Sequence, residues 1–184
     1  VNSTTYQELA YRVKDPTDWY PFNGLKRLTM NGGANYEVKM EFCTNNVAGT
    51  ARIRNARLIL LSLQSEYAES EGLSTTNSIS WQDKVTLTFT PPSSGDYLII
   101  ATANYRGSST SRDVYIRLIQ DDTIIHVDAR GRPGSGTTAN YYTFGVMSKV
   151  TLDATQHNFK IQYCSSSSAG TAGITYTHIV VIRL

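Results

Sequence analysis

Charge is scarce in this 184-residue chain: 17 % of its residues are charged, and 17 basic against 15 acidic side chains leave a formal net charge of +2. The basic residues are scattered, so there is no electrostatic footprint for a nucleic acid. Cysteine is limited to Cys43 and Cys164, and histidine to His126, His157 and His178. The histidines fall in separate segments, away from either cysteine, without the ligand spacing of a metal centre. No Ser-His-Asp order, G-x-S-x-G elbow, glycine-rich phosphate loop or C-x-x-C motif is present. No reaction can be read from these residues, and the expectation is a non-enzymatic protein with no catalytic residue, no cofactor and no metal. Long apolar runs are missing too. None reaches the roughly 18 residues needed to cross a bilayer, so no membrane span is expected, and the opening VNSTTYQ lacks a basic-then-apolar leader. A secreted form would have lost its leader already.

What is abundant is Ser, Thr, Asn, Gly and Tyr, with 12 tyrosines and 13 glycines. That mixture suits strands with hydroxyl-rich outer faces and polar turns, and an extracellular location. One stretch also occurs twice. VKMEFCTNNVAGTARIRNARLILLSL, residues 38–63, returns without a gap as FKIQYCSSSSAGTAGITYTHIVVIRL, residues 159–184, at a constant spacing of 121 (43 to 164, 63 to 184). Lys39 and Lys160, Cys43 and Cys164, the Ala-Gly-Thr-Ala runs, Ile53 and Ile174, and Leu63 and Leu184 are identical pairs. An internal repeat governs how local motifs are read.

Alternation marks the strands. Tyr36, Val38, Met40 and Phe42 share one face of a predicted half-buried strand, with Glu37, Lys39, Glu41 and Cys43 on the other. Leu58-Ile59-Leu60-Leu61 is apolar on both faces, as in a covered central strand. Residues 64–78, polar and acidic, read as a linker. Beyond them Val85, Leu87 and Phe89 alternate with threonines, and Pro91 to Asp96 turns into Tyr97 to Ala101. Val114, Ile116 and Leu118 form another apolar face, and Asp121-Asp122 makes the next turn. The loop 131–138 is glycine-rich and expected to be exposed. Tyr141 to Phe144, Val146 to Leu152 and the second copy of the repeat complete about eight strands, at the spacing of roughly 8–12 residues seen in sandwiches and barrels.

Phe89-Thr90-Pro91 through Gly95-Asp96-Tyr97-Leu98-Ile99 resembles the early turn and core strand of the C1q and tumour-necrosis-factor superfamily. Val150-Thr151-Leu152 with Phe159 to Tyr163 is similar to that family's late hairpin, and Thr177 to Leu184 to its closing strand. The resemblance implies an antiparallel jelly-roll β-sandwich, a pattern that viral capsid and lectin jelly rolls share. The chain has no collagen-like Gly-X-Y stretch.

The expected organisation is thus all-β: residues 1–63 form an N-terminal half-repeat, 64–78 a linker and 79–184 a complete jelly roll. With the copies aligned, counterparts of Trp81 to about Gln120 are absent from 1–63. Half a sandwich exposes apolar faces and strand edges. Three readings are open: a piece of a longer tandem array, extra strands on one enlarged sandwich, or completion by strands of another chain, the one favoured here. A head-to-tail contact of that kind propagates. The expected role is a structural subunit that assembles with copies of itself into an extracellular filament or surface layer. The alternative is a secreted carbohydrate-binding or C1q-like trimeric module.

Few side chains stand out as sites. Cys43 and Cys164 occupy equivalent outward positions, where a bridge within or between chains competes with two reduced thiols. Trp19, Tyr20, Tyr141 and Tyr142 are candidate sugar-stacking or interface aromatics. Asp121, Asp122 and Asp128, or Glu66, Glu69 and Glu71, lack the spacing of a calcium loop and read as solvated turn charges.

Overall fold

The computed structural model describes residues 65–108, 112–131 and 141–184 and, ahead of them, 25, 37–42, 50, 52, 53 and 55–58. The chain divides into two compact units, and the nine strands among the described residues lie in the unit that contains 64–184. They are β1 (Ser65–Ser70), β2 (Ser74–Thr76), β3 (Gln82–Phe89), β4 (Gly95–Gly107), β5 (Val114–Gln120), β6 (Ile124–Gly131), β7 (Tyr142–Leu152), β8 (His157–Ser165) and β9 (Ala172–Arg183). No helix occurs among the described residues. Two antiparallel sheets form, ordered β1-β9-β4-β7, with β2 also on β9, and β3-β8-β5-β6. Apart from the β5–β6 hairpin, neighbours in each sheet come from separate parts of the chain, the crossing order of a jelly-roll β-sandwich.

Alternation decides which side chains meet between the sheets. Val85 and Leu87 of β3, Ile116 and Leu118 of β5, and Phe159, Ile161 and Tyr163 of β8 face Ile99, Ala101, Ile179 and Val181 of the other sheet in one buried cluster. Thr86 and Thr88, on the other face of β3, are exposed. Each fully buried Ile or Phe contributes about 1.5–3 kcal/mol relative to an exposed one. The sandwich therefore depends on these alternating positions more than on its polar faces.

The turns follow from local chemistry. Asp121 and Asp122 have φ of 50° and 59°, and the Thr123 N–H donates to Gln120 O at 3.1 Å. Two consecutive left-handed residues make the primed turn whose twist matches a tight hairpin. In β9, Ile174 and Ile179 both point into the core although an odd number of steps separates them. Tyr176, at φ 47°, and a register shift opposite Thr102 and Asn104 absorb the extra residue as a bulge.

Two expectations are corrected. The stretch 64–78 is not simply a linker: it carries β1 and β2, both paired with β9. Its glutamates misled because edge strands tolerate and often use charge, while Ala68 packs against the core. Of the strand expected at Tyr36 to Phe42, the described residues 37–42 carry none, and Met40 and Phe42 are exposed; Tyr36 lies outside the described residues. Alternation marks a segment able to pair, and a strand also needs a partner. None of the described residues of the first copy lies in a strand.

Candidate functional site

The second copy of the repeat supplies β8 and β9, each held between two neighbours: β8 between β3 and β5, β9 between β1 and β4. The apolar side chains that β8 and β9 turn inward are consequently sealed, with Tyr163 3 % exposed and Ile161, Ile174 and Ile179 0 %. The matching positions of the first copy are open: Phe42 is 55 % exposed, Leu58 51 %, Ile53 42 % and Met40 37 %. On the shared spacing, 1–63 correspond to 122–184, so counterparts of β3, β4 and β5 are not among them. Those are three of the five strands that flank β8 and β9, the other two being β1 and β2. The polar face differs in the same sense. Lys160 bridges Asp122 at 2.7 Å and Asp83 at 3.6 Å across strands, whereas Lys39 reaches Glu37 beside it, at 3.0 Å.

Cys164 lies on the outward face of β8, as alternation predicts, yet it is buried. Its register partner on β5 is Tyr115, whose ring meets Trp81 edge-on at 6.4 Å. Arg117 stacks over Trp81 at 4.2 Å and donates to Gln162 Oε1 at 2.8 Å. Burial pushes the Cys164 thiol up, Asp128 adds to this and Arg117 opposes it. The thiol is free. The expected Cys43–Cys164 bridge is not found within the chain, Cys164 being a free and buried thiol. Cys43 lies outside the described residues.

Of the four candidate aromatics, Trp19 and Tyr20 also lie outside the described residues. Tyr142 turns inward, its ring 5.7 Å from that of Tyr105 in β4, while Tyr141 is half-buried beneath the Arg106 guanidinium at 5.1 Å. Alternation thus splits the pair instead of aligning both rings on one platform. Residues 132–140 of the neighbouring loop are outside the described set, although Gly131, at its start, lets the Tyr105 ring approach its backbone where a Cβ would collide.

Two ionisable clusters escape the sequence because their members are remote. His157 Nδ1 meets Asp121 Oδ2 at 2.8 Å and its Nε2 lies 3.2 Å from Asp153 Oδ1. Burial disfavours charge on His157, but the hydrogen bond and charge of Asp121, with Asp153 adding, hold its pKa above the usual value. In the other cluster, His178 of β9 stands beside Glu69 of β1 and Glu71 just beyond it. Glu69 and His178 are register partners, a relation visible only once β1 is known to pair with β9.

No protein-family model and no curated protein matches the chain. Among solved structures it is similar to Eiger TNF from S. frugiperda, at 10 % identity and TM-score 0.44, covering 65 % of this chain and 91 % of that one. A carbohydrate-binding module from Cellvibrio mixtus lichenase 5A, in complex with cellotriose, gives 14 % identity and TM-score 0.30 over 67 % of this chain and 99 % of that one. The infectious bursal disease virus VP2 subviral particle gives 12 % and 0.33, covering 66 % and 37 %. Likenesses this distant carry no activity, ligand or partner across, and the fold rests on the strand order described above. No helix among the described residues is long and apolar enough to cross a membrane.

Proposed function

We propose that the protein is a non-enzymatic, extracellular structural subunit that assembles with copies of itself, strands of a neighbour covering the open face of the first repeat. One observation carries this reading: Phe42, Leu58, Ile53 and Met40 are exposed at positions whose repeat counterparts are sealed in the core. Covering large apolar side chains of this kind is worth about 1.5–3 kcal/mol each, and pairing the strands satisfies backbone groups as well. Contact of one copy's front with the next copy's open half is heterologous, so it extends into a filament instead of closing. The low charge and hydroxyl-rich composition support a surface role outside the cell. The test is assembly state: negative-stain images of the wild type should show fibres or tubes, and Phe42→Lys with Leu58→Lys should abolish them while leaving the strand signal of the sandwich intact. A uniform monomer at high concentration rejects the reading.

A second reading, a secreted carbohydrate-binding or C1q-like trimeric module, draws on Tyr141 and Arg106, a ring and guanidinium stacked at the β4–β7 end of the sandwich. Binding on a glycan array that Tyr141→Ala removes, by a chain that stays a monomer or trimer, would favour it over assembly.

A further inference from the structure

Glu69, Glu71 and His178 bring two carboxylates and an imidazole together on the outer face of the β1-β9-β4-β7 sheet, and we propose that they bind a divalent transition-metal ion of the Zn2+ or Mn2+ class. The face follows from parity. Ala68 and Ile179 point into the core, so Glu69 and His178, their chain neighbours and each other's register partners, point away from it. His178 Nε2 lies 3.8 Å from Glu69 Oε2 and 3.8 Å from Glu71 Oε1, and the three donor atoms fall within 4.8 Å of one another. Those separations exceed a hydrogen bond. Bonds of about 2.0–2.2 Å, opened to angles of about 110–120°, hold their donors about 3.3–3.8 Å apart, so the imidazole–carboxylate separations already suit an ion and the two carboxylates need close by no more than about 1 Å.

The surroundings orient the donors. Thr102 Oγ1 lies 3.3 Å from His178 Nδ1, which leaves Nε2 facing the carboxylates. The Tyr67 ring stacks on the imidazole at 6.0 Å and 24°, and its hydroxyl donates to Glu69 Oε2 at 2.7 Å. Glu71 is fixed through its backbone, whose carbonyl accepts from the Tyr176 N–H at 3.2 Å and from the Thr175 hydroxyl at the β9 bulge. Outer hydrogen bonds of this kind hold metal ligands in place. The imidazole is fully buried while the glutamate side chains are 39 % and 37 % exposed, so an ion has an approach from the carboxylate side. One imidazole with two carboxylates suits Zn2+ or Mn2+ better than Ca2+, which prefers six or more oxygens.

The test is calorimetric titration and thermal melting of chelator-stripped full-length chain with Zn2+, Mn2+ and Ca2+, in the wild type, Glu69→Gln and Glu71→Gln. Both substitutions sit at part-exposed side chains, which keeps unfolding from confounding the result. Expected is a single Zn2+ or Mn2+ per chain with a raised melting temperature, weakened about tenfold or more in either variant. Absence of saturable binding, or binding that both variants retain, would overturn the proposal.

Discussion

Asn55 and Tyr176 stand at the same position of the two repeats, and both adopt left-handed backbone, with φ of 52° and 47°. Asparagine enters that region readily; tyrosine does so at a cost of roughly 1–2 kcal/mol. In the second copy the conformation forms the β9 bulge that brings Ile174 and Ile179 onto one face. In the first it persists where the described neighbours carry no strand. The left-handed position is thus common to both copies, and among the described residues only the second copy pairs around it.

Tyr176→Asn should therefore leave the melting temperature unchanged or raise it, since the backbone strain is relieved. Tyr176→Val, with a branched Cβ in the same conformation, should lower stability by about 1–2 kcal/mol. Denaturant unfolding of the two variants checks this; equal stability would show that the bulge is not held in the left-handed region.

His157 gives the sandwich a defined pH response. Its raised pKa means that its contribution is fully present below about pH 6.5, the ordinary histidine value, and fades as pH rises through the higher folded value. Asp153 is held below the usual carboxylate range by the Thr155 hydroxyl and N–H, with His157 adding. Burial works to raise Asp121, but the His157, Asn158 and Gln120 hydrogen bonds lower it on balance. The carboxylate contributions are present above about pH 4 and fade as pH falls through the lowered values. The stability gap between wild type and His157→Gln should peak near pH 5 and narrow above pH 7. A gap independent of pH in melts from pH 4 to 9 would contradict the ion pairs.

Cys164 should resist alkylation in the native chain, because it is buried and its thiol is harder to ionise than usual. Residue-mapped mass spectrometry after brief labelling checks this, with Cys164 expected to label only on unfolding. Rapid native labelling would contradict the burial of the thiol.

Much of the sandwich was legible in the chain. Val85 with Leu87 and Ile116 with Leu118 announce half-buried strands by alternation, and Asp121-Asp122 announces its turn, because both signals are local. What depends on pairing was not. β1 reads as linker because Glu66 and Glu69 occupy an edge, and Tyr36 to Phe42 reads as a strand because periodicity records a capacity to pair. The approach of His178 to Glu69 depends on the register of strands from opposite ends of the sandwich. For Tyr141 and Tyr142, adjacency in sequence suggests a shared platform, whereas alternation sends their rings to different places.

The most direct test compares Met40 and Phe42 with their sealed counterparts. Ile161→Ala should destabilise the sandwich by about 2–5 kcal/mol, while Phe42→Lys should change its stability by no more than about 0.5 kcal/mol. Sedimentation velocity on the same samples should show large, polydisperse assemblies for the wild type and a single small species for Phe42→Lys. A wild-type chain that sediments as one small species at every concentration, indistinguishable from Phe42→Lys, would contradict assembly through the open repeat.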